Sequence, residues 1–232
     1  MALRMLAAVA SLTVACGGSQ AQAVSTPGVS GHLRITAVAP GYPGRTPSDD
    51  RWLIYLDGYI DTGAAARLGR LLARERIDDA SVYFNSPGGH LLEAMALGRM
   101  LRERQYDTSV GARMADGVLP GAGRCYSACP FAYAGGVGRS LEPGSTLGVH
   151  RAENRVPVQD ESAFQEVVAD QVTGYLSEMG VSAGLLTIMS EVPHDSIREL
   201  TLEEAERLEL VTPHAPAQAS PAEPFSRGAG SP

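Results

Sequence analysis

A serine placed between two cysteines is the segment of this chain that is best suited to chemistry. Ser127 stands between Cys125 and Cys129, with glycines shortly before it and an alanine-rich run after it. Small residues of this kind predict a loop followed by the start of a helix, where free backbone N–H groups point outward. Such a place suits a nucleophilic hydroxyl. On this segment alone, however, a Ser127 that merely caps the helix, flanked by two core cysteines, is the commoner arrangement.

A proline followed by two glycines is the second segment of interest. Gly88 and Gly89 follow Pro87 at the predicted end of a strand, which is first of all a turn signal. Glycine also permits positive φ and the close approach that directs backbone N–H groups at a negatively charged oxygen. A histidine, His150, ends another short predicted strand, residues 146–150.

Composition excludes several classes of function. The chain has 232 residues, of which 44% are hydrophobic and 19% charged, as in a soluble globular protein. Its net charge of −7 leaves no basic surface for a phosphate backbone, so nucleic acid is not an expected partner. The sequence contains no lysine, which rules out a serine–lysine dyad. The histidines and acidic residues lack metal-ligand spacing, so we expect no metal and no cofactor.

The N-terminus has the pattern of an export signal. Arg4 precedes an uncharged, mostly apolar run that is too short for a permanent membrane anchor. Two processing routes fit the pattern. Cleavage after Ala23 would use a small-x-small site, and we favour it. Lipidation of Cys16 would use a bacterial lipoprotein box, although the leucine of this box is one position too early. We therefore expect a periplasmic protein, with a lipid on Cys16 as the only tether to a membrane.

These features divide the chain into four parts. Residues 1–23 are the predicted signal peptide, and residues 24–48 a flexible segment in which 33–38 are a possible edge strand. Residues 49–212 form the predicted folded domain. Residues 213–232 are rich in proline, alanine and serine, which predicts a disordered tail.

Strand and helix patterns alternate along the domain. Residues 52–60 and 80–85 read as strands, and each precedes an amphipathic helix, the first capped by Asp61 or Thr62. This is the α/β pattern with a mainly parallel sheet, in which a site is expected at the C-terminal ends of the strands. Further along, Ser162 and Gln165 predict a capping box for a helix with the apolar stripe Phe164, Val167, Val168, Val172, Tyr175, Leu176 and Met179. Thr201 and Glu204 predict a second capping box.

The order of these motifs carries a resemblance to a known family. Asn85-Ser-Pro-Gly-Gly89, then Cys125-Tyr-Ser-Ala-Cys129, then Gly148-Val-His150, and finally the segment 200–211 follow one another as in the Clp protease proteolytic subunit. Over residues 52–211 the chain resembles the Clp/crotonase superfamily, and within it the exported bacterial Clp-protease-like proteins. The resemblance implies a Clp/crotonase-like fold of repeated strand-helix units.

The resemblance also implies roles for the residues of the two loops. Ser127 would be the nucleophile and His150 its general base. The alternative for His150 is a buried histidine bonded to a backbone carbonyl. Gly89 and Ala128 would supply the N–H groups of an oxyanion hole, with Gly88 shaping the turn.

The third member of the triad is less directly indicated. No gap-free alignment places a carboxylate at the position that the family uses. Asp195, two positions away, is our choice. Its alternative role is the N-cap of a short turn.

The two cysteines could form a disulfide around the serine. Export would place them in an oxidising compartment. Within one regular helical turn their Cβ atoms would be about 5–6 Å apart, too far for a disulfide. A bond therefore requires Cys125 to precede the helix, which the glycine-rich loop before it allows.

The sequence thus predicts an exported serine peptidase that acts on extended polypeptide through Ser127, His150 and Asp195, and that forms homo-oligomers as the family does. One alternative is an inactive Clp-like binding or assembly module. A less favoured alternative is a crotonase-like acyl-CoA enzyme, since coenzyme A is a cytoplasmic cofactor.

Overall fold

The computed structural model describes residues 23–25, 31–45, 50–115, 119–153 and 160–212. Cys16, the predicted tail 213–232 and all but the last residue of the predicted signal peptide 1–23 lie outside the described residues. Within the described ranges, no helix combines the length and the apolar character needed to cross a membrane.

A six-stranded sheet forms the centre of the domain. Its strands are β1 (Ala23–Ser25), β2 (Arg34–Val38), β3 (Trp52–Asp57), β4 (Ala80–Asn85), β5 (Asp107–Val110) and β9 (Arg139–Leu141), in the spatial order β1-β2-β3-β4-β5-β9. The pairs from β3 to β9 are parallel, and β1 and β2 are added antiparallel. The predicted α/β fold with a mainly parallel sheet is therefore confirmed.

Two smaller sheets complete the strand inventory of the described residues. A short hairpin joins β6 (Ala112–Arg113) to β7 (Pro120–Gly121). The second sheet contains β8 (Arg124–Tyr126), β10 (Thr146–Val149) and β11 (Arg198–Glu199), in the order β11-β10-β8. Because β8 and β10 run parallel, their C-terminal ends lie at the same end of the sheet, and so do the residues that follow them.

The helices of the described ranges pack against the main sheet or extend from it. They are α1 (Ala64–Glu75), α2 (Leu91–Glu103), α3 (Cys129–Ala134), α4 (Glu161–Glu178), α5 (Gly184–Glu191) and α6 (Leu202–Arg207). Strand β3 is buried along its middle, and β4 alternates, with Ala80, Val82 and Phe84 facing the core. The alternation in β4 shows that one face of this strand packs on the core while the other is more open.

Close contact between α2 and α3 holds the short helix that follows Ser127. Gly98 of α2 faces Gly135 at the end of α3, and a Cβ on Gly135 would lie 2.1 Å from the carbonyl oxygen of Gly98. The hydroxyl of Tyr175 in α4 donates to the carbonyl of Phe131 at 2.5 Å. All residues of α3 are buried, so its position is set by the core rather than by the loop before it.

The structure corrects three local expectations. The segment predicted as an edge strand is β2, but β1 pairs with its outer side, so it is an internal strand. Helix α1 begins after Gly63 without a side-chain cap, because Asp61 instead accepts the N–H of Leu33 at 2.9 Å and binds other side chains. Helix α4 is capped by Asp160, which accepts from the N–H of Ala163 at 3.0 Å, and not by Ser162.

The apolar stripe of α4 is only partly buried. Four residues in the C-terminal half of the stripe lie in the core: Val172, Tyr175, Leu176 and Met179. Val167, which is five residues before the first of them, is exposed. The capping box of Thr201 and Glu204 at the start of α6 is present with both of its hydrogen bonds.

Candidate active site

Strand pairing brings three separate chain segments together. Ser86, just past β4, forms a bridge with Cys125: its N–H donates to the carbonyl of Arg124 at 2.7 Å and its carbonyl accepts from Tyr126 at 3.0 Å. Beyond Tyr126, the N–H of Ser127 continues the ladder to the carbonyl of Gly148 in β10 at 2.9 Å. The Pro-Gly-Gly turn, the serine and the histidine therefore meet at the C-terminal ends of β4, β8 and β10.

Ser127 occupies a sharp turn between β8 and α3. Its φ of 59° lies in the left-handed region, which is uncommon for residues other than glycine and is often found at functional sites. The N-cap of α3 is Ala128 and has no side-chain hydrogen bond, so Ser127 does not cap the helix. Gly88 passes close by, and a Cβ there would lie 2.6 Å from the Cβ of Ser127.

His150 contacts the serine directly. Its Nε2 lies 2.6 Å from the Oγ of Ser127, and its Nδ1 lies 2.9 Å from the carbonyl oxygen of Arg151. A carbonyl can only accept, so Nδ1 carries the proton. Nε2 then has its lone pair free to accept the hydroxyl hydrogen of Ser127. This is the tautomer that a general base needs.

The backbone around Gly89 leaves a donor available beside the serine. Ile60 bonds to both neighbours of Gly89: its N–H donates to the carbonyl of Gly88 and its carbonyl accepts from His90, each at 2.8 Å. In a parallel bridge of this kind, the N–H of Gly89 itself points away from Ile60. No oxygen among the described residues accepts a hydrogen bond from the N–H of Gly89 or of Ala128.

The turn residue Gly88 has a different part. Its N–H donates to the hydroxyl of Ser86 at 3.1 Å, so it shapes the turn and is not free to bind an oxyanion. Gly88 and Gly89 have φ values of 105° and 151°, which residues other than glycine rarely adopt. The roles predicted for Gly88 and Gly89 in an oxyanion hole stay a prediction.

Asp195 is not joined to the histidine. Both residues lie in the described part of the chain, yet the Nδ1 of His150 is bonded to the carbonyl of Arg151 and the carboxylate of Asp195 accepts from the hydroxyl of Ser196 at 3.3 Å. The segment around Asp195 does approach the loop after His150, since the N–H of Arg151 donates to the carbonyl of Val192 at 2.9 Å. The structure therefore corrects the expected histidine–aspartate contact: a backbone carbonyl stands in its place.

Cys125 and Cys129 are bonded in the structure, with their Cα atoms 5.1 Å apart. Cys125 lies in β8 and Cys129 is the first residue of α3, so the pair does not share a helical turn. This is the condition that helix geometry imposes on a disulfide between them. The bond closes the strand–turn–helix unit in which Ser127 sits, and both cysteines are completely buried.

A cleft of about 490 Å³ opens at the serine and the histidine. Besides the residues of the site, its lining includes Tyr59, His90, Leu91, Phe131, Glu153 and Met189. His90, which follows the two glycines, packs edge-on against Tyr59 with ring centroids 5.9 Å apart. A second groove of about 560 Å³ runs between α4 and α5 and shares Ala152 and Met189 with the cleft, so the two are adjacent.

A buried carboxylate supports the loop that holds Gly89. Asp61 follows Ile60 and accepts hydrogen bonds from Arg67, at 2.5 and 2.8 Å, and contacts the Nδ1 of His32 at 2.6 Å. Burial disfavours the charged form of Asp61, but its hydrogen bonds from Arg67, the Leu33 N–H and His32 outweigh burial and lower the pKa of this carboxyl well below its usual value. Asp61 is thus an ionised anchor for the Ile60 turn.

The fold and the site together define a class of protein: an α/β domain with a mainly parallel sheet, in which a serine and a histidine are in contact at the ends of parallel strands. No family model and no curated protein matches the sequence.

Solved structures are similar to the chain in fold. ClpP1 from Listeria monocytogenes matches at 18% identity with a TM-score of 0.50, covering 68% of this chain and 88% of that one. A point mutant of the same ClpP1 matches at 17% identity with a TM-score of 0.51 and the same coverage. A mutant of the 1510-N membrane-bound stomatin-specific protease, in complex with a substrate peptide, has 17% identity and a TM-score of 0.48, covering 68% of this chain and 71% of that one. The chain therefore shares the fold of ClpP1.

Sequence reasoning missed three contributors to the site. Ile60 orients Gly89 through its backbone, and Arg151 orients His150 through its carbonyl. Both act through backbone groups, which nearly every residue carries, so no sequence motif could have identified them. Glu153 lines the cleft, and its position three residues after His150 was the only available hint.

Proposed function

We propose that this chain is an exported serine peptidase in which Ser127 is the nucleophile and His150 the general base. The observation that carries the proposal is the 2.6 Å contact between the Oγ of Ser127 and the Nε2 of His150. A serine hydroxyl is a poor nucleophile unless a base within hydrogen-bond reach takes its proton. The strained turn at Ser127 and the available N–H groups beside it support the same conclusion.

In the proposed reaction, the Oγ of Ser127 attacks the carbonyl carbon of a peptide bond while Nε2 of His150 takes the hydroxyl proton. The N–H groups of Gly89 and Ala128 bind the oxyanion of the tetrahedral intermediate. The protonated imidazole then gives its proton to the departing amine, which leaves an acyl group on Ser127. Water, deprotonated by His150, releases the acyl group and restores the serine.

The carbonyl of Arg151 is the orienting group in this proposal. By accepting a hydrogen bond from the Nδ1–H of His150, with a nitrogen–oxygen distance of 2.9 Å, it keeps Nε2 directed at Ser127 during attack. The pair Ser127–His150 with this carbonyl replaces the triad with Asp195 that was expected from the sequence.

An extended polypeptide is the proposed substrate. The cleft of about 490 Å³ lies beside the groove of about 560 Å³ between α4 and α5, and together they offer more room than one side chain requires. The resemblance of the sequence motifs to the Clp protease proteolytic subunit favours the same kind of substrate. Export and a homo-oligomeric state are part of the proposal as implied by the N-terminal pattern and by the family resemblance.

A fluorophosphonate probe tests the proposal, because it modifies a serine only when a base activates it. We expect labelling of the purified chain at Ser127, located by peptide mass mapping, and none in Ser127→Ala. Absence of labelling between pH 6 and 9 would instead favour a binding module. Size-exclusion chromatography with light scattering measures the oligomeric state, and a monomer would contradict the proposed homo-oligomer.

A further inference from the structure

The cleft at Ser127 contains a single carboxylate among its described lining residues. Glu153 lies three residues after His150 and lines the same depression as the serine and the histidine. Its side chain is 53% exposed, so its carboxylate is accessible from solvent. The proposed reaction makes no use of this group.

Among the described residues of the cleft wall, no other side chain is an acid. Leu91, Ala128, Phe131, Ala152 and Met189 are apolar, and the remaining described lining residues are histidines, a tyrosine, a serine, a proline and a glycine. Because Glu153 is half exposed, solvent screens its charge in part, and its attraction for a positive group is that of a surface ion pair. A single carboxylate in such surroundings is attractive to a positive group and unfavourable to a negative one.

The position of Glu153 is set by its neighbours. The Nε2 of His194 lies 3.3 Å from the Oε1 of Glu153, and the backbone contact between Arg151 and Val192 joins the same two segments. A carboxylate has about four sites for accepting hydrogen bonds. One histidine therefore leaves Glu153 able to accept a guanidinium or an ammonium group as well.

We infer that Glu153 selects polypeptides with an arginine or lysine side chain close to the bond over Ser127. The net charge of −7 favours the same substrates, since an acidic protein attracts cationic polypeptides over longer distances. The inference deepens the proposed function and rests on it for the reaction, but the binding preference itself does not require that Ser127 be reactive.

Binding to the Ser127→Ala variant measures the preference without turnover. Alanine-based hexapeptides that carry one arginine, one citrulline or one glutamate differ mainly in charge at one side chain. We expect the arginine peptide to bind about fivefold more tightly than the citrulline peptide, as for a partly exposed ion pair, and the glutamate peptide to bind least. Raising the salt concentration to about 1 M should remove most of the difference.

Substitutions at Glu153 identify the source of the preference. Glu153→Gln in the Ser127→Ala background should bring the arginine-to-citrulline ratio close to one, and Glu153→Arg should reverse the order in favour of the glutamate peptide. Glu203→Gln is the matched control, because Glu203 is exposed on α6 and does not line the cleft. The control should keep the fivefold ratio.

The outcomes separate the two proposals. A ratio near one before substitution, or a ratio that survives both changes at Glu153, overturns the inference even if the fluorophosphonate labels Ser127. A preference that depends on Glu153 in a chain that the fluorophosphonate never labels supports the inference and overturns the peptidase. Circular dichroism spectra that match the parent establish that the Glu153 variants are folded.

Discussion

The Nε2 of His150 lies 2.6 Å from the Oγ of Ser127, although the two residues are 23 positions apart in the chain. Each follows a strand of the same parallel pair, β8 and β10, so the contact is a consequence of sheet register. A side-chain contact set by two rigid strands needs little reorganisation before reaction, which is what a nucleophile and its base require.

Removal of the base should slow the serine without unfolding the chain. In His150→Gln we expect the rate of fluorophosphonate labelling to fall by about 10²–10⁴-fold, the usual contribution of a general base. The His150 side chain is partly exposed, so the melting temperature should change little. The labelling rate is measured by stopping the reaction at successive times and separating the labelled protein on gels. A rate equal to that of the parent protein would remove His150 from the mechanism.

Substitution of Asp195 should leave the chemistry intact. Its carboxylate accepts a hydrogen bond from Ser196 and none from His150, so Asp195→Asn should label within about twofold of the parent rate. A loss of two orders of magnitude or more would instead restore Asp195 as the third member of a triad, reached by a rearrangement of its turn.

A methyl group at Gly89 should damage the oxyanion site. The φ of 151° disfavours any side chain, and the added Cβ would lie 2.2 Å from the carbonyl oxygen of Ile60. We expect Gly89→Ala to displace the Gly89 N–H and to cost about 10²–10³-fold in labelling rate. Gly174→Ala is the control, since Gly174 lies in α4 with no atom within 4 Å of the added Cβ. Equal rates for the two variants would contradict the assigned role.

The Cys125–Cys129 bond should stabilise the strand–turn–helix unit. For a loop closed over a sequence separation of 4, the expected contribution to the free energy of unfolding is about 2 kcal/mol. The double variant Cys125→Ala and Cys129→Ala should therefore denature at lower urea concentration and label more slowly, because the turn at Ser127 loses a constraint. Intact mass with and without reductant reports the state of the parent. Two free thiols in the native protein would exclude this contribution.

The stability provided by Asp61 should depend on pH in a defined direction. Because its pKa is lowered in the folded protein, the contribution is fully present above the unfolded value of about 4 and is lost as the pH falls through the folded value. Asp61→Asn should cost about 1.5–3 kcal/mol at pH 7, the range for hydrogen bonds to a charged group. Urea titrations measure the difference in free energy of unfolding between the parent and Asp61→Asn, and this difference should be smaller at pH 3 than at pH 7. For Asp195→Asn, whose substituted side chain is exposed, we expect no such difference at either pH. A difference between parent and Asp61→Asn that is the same at both pH values would contradict a stabilising role for ionised Asp61.

The sequence by itself determined several of the elements and singled out the serine and the histidine that meet in the fold. Periodicity and residue type predicted the strands β3, β4 and β10, the capping box of α6, Ser127 near the start of a helix and His150 at the end of its strand. These features depend on local preferences and on the types of side chain, which a sequence displays directly.

The tertiary structure alone decided which groups meet. Sheet register places Ser127 against His150, the carbonyl of Arg151 rather than Asp195 on Nδ1, and the backbone of Ile60 beside Gly89. The orienting groups are backbone atoms, which every residue carries, so no pattern of residue types distinguishes them. Burial likewise divided the stripe of α4, because only the part of that helix that reaches the core has a surface to pack against.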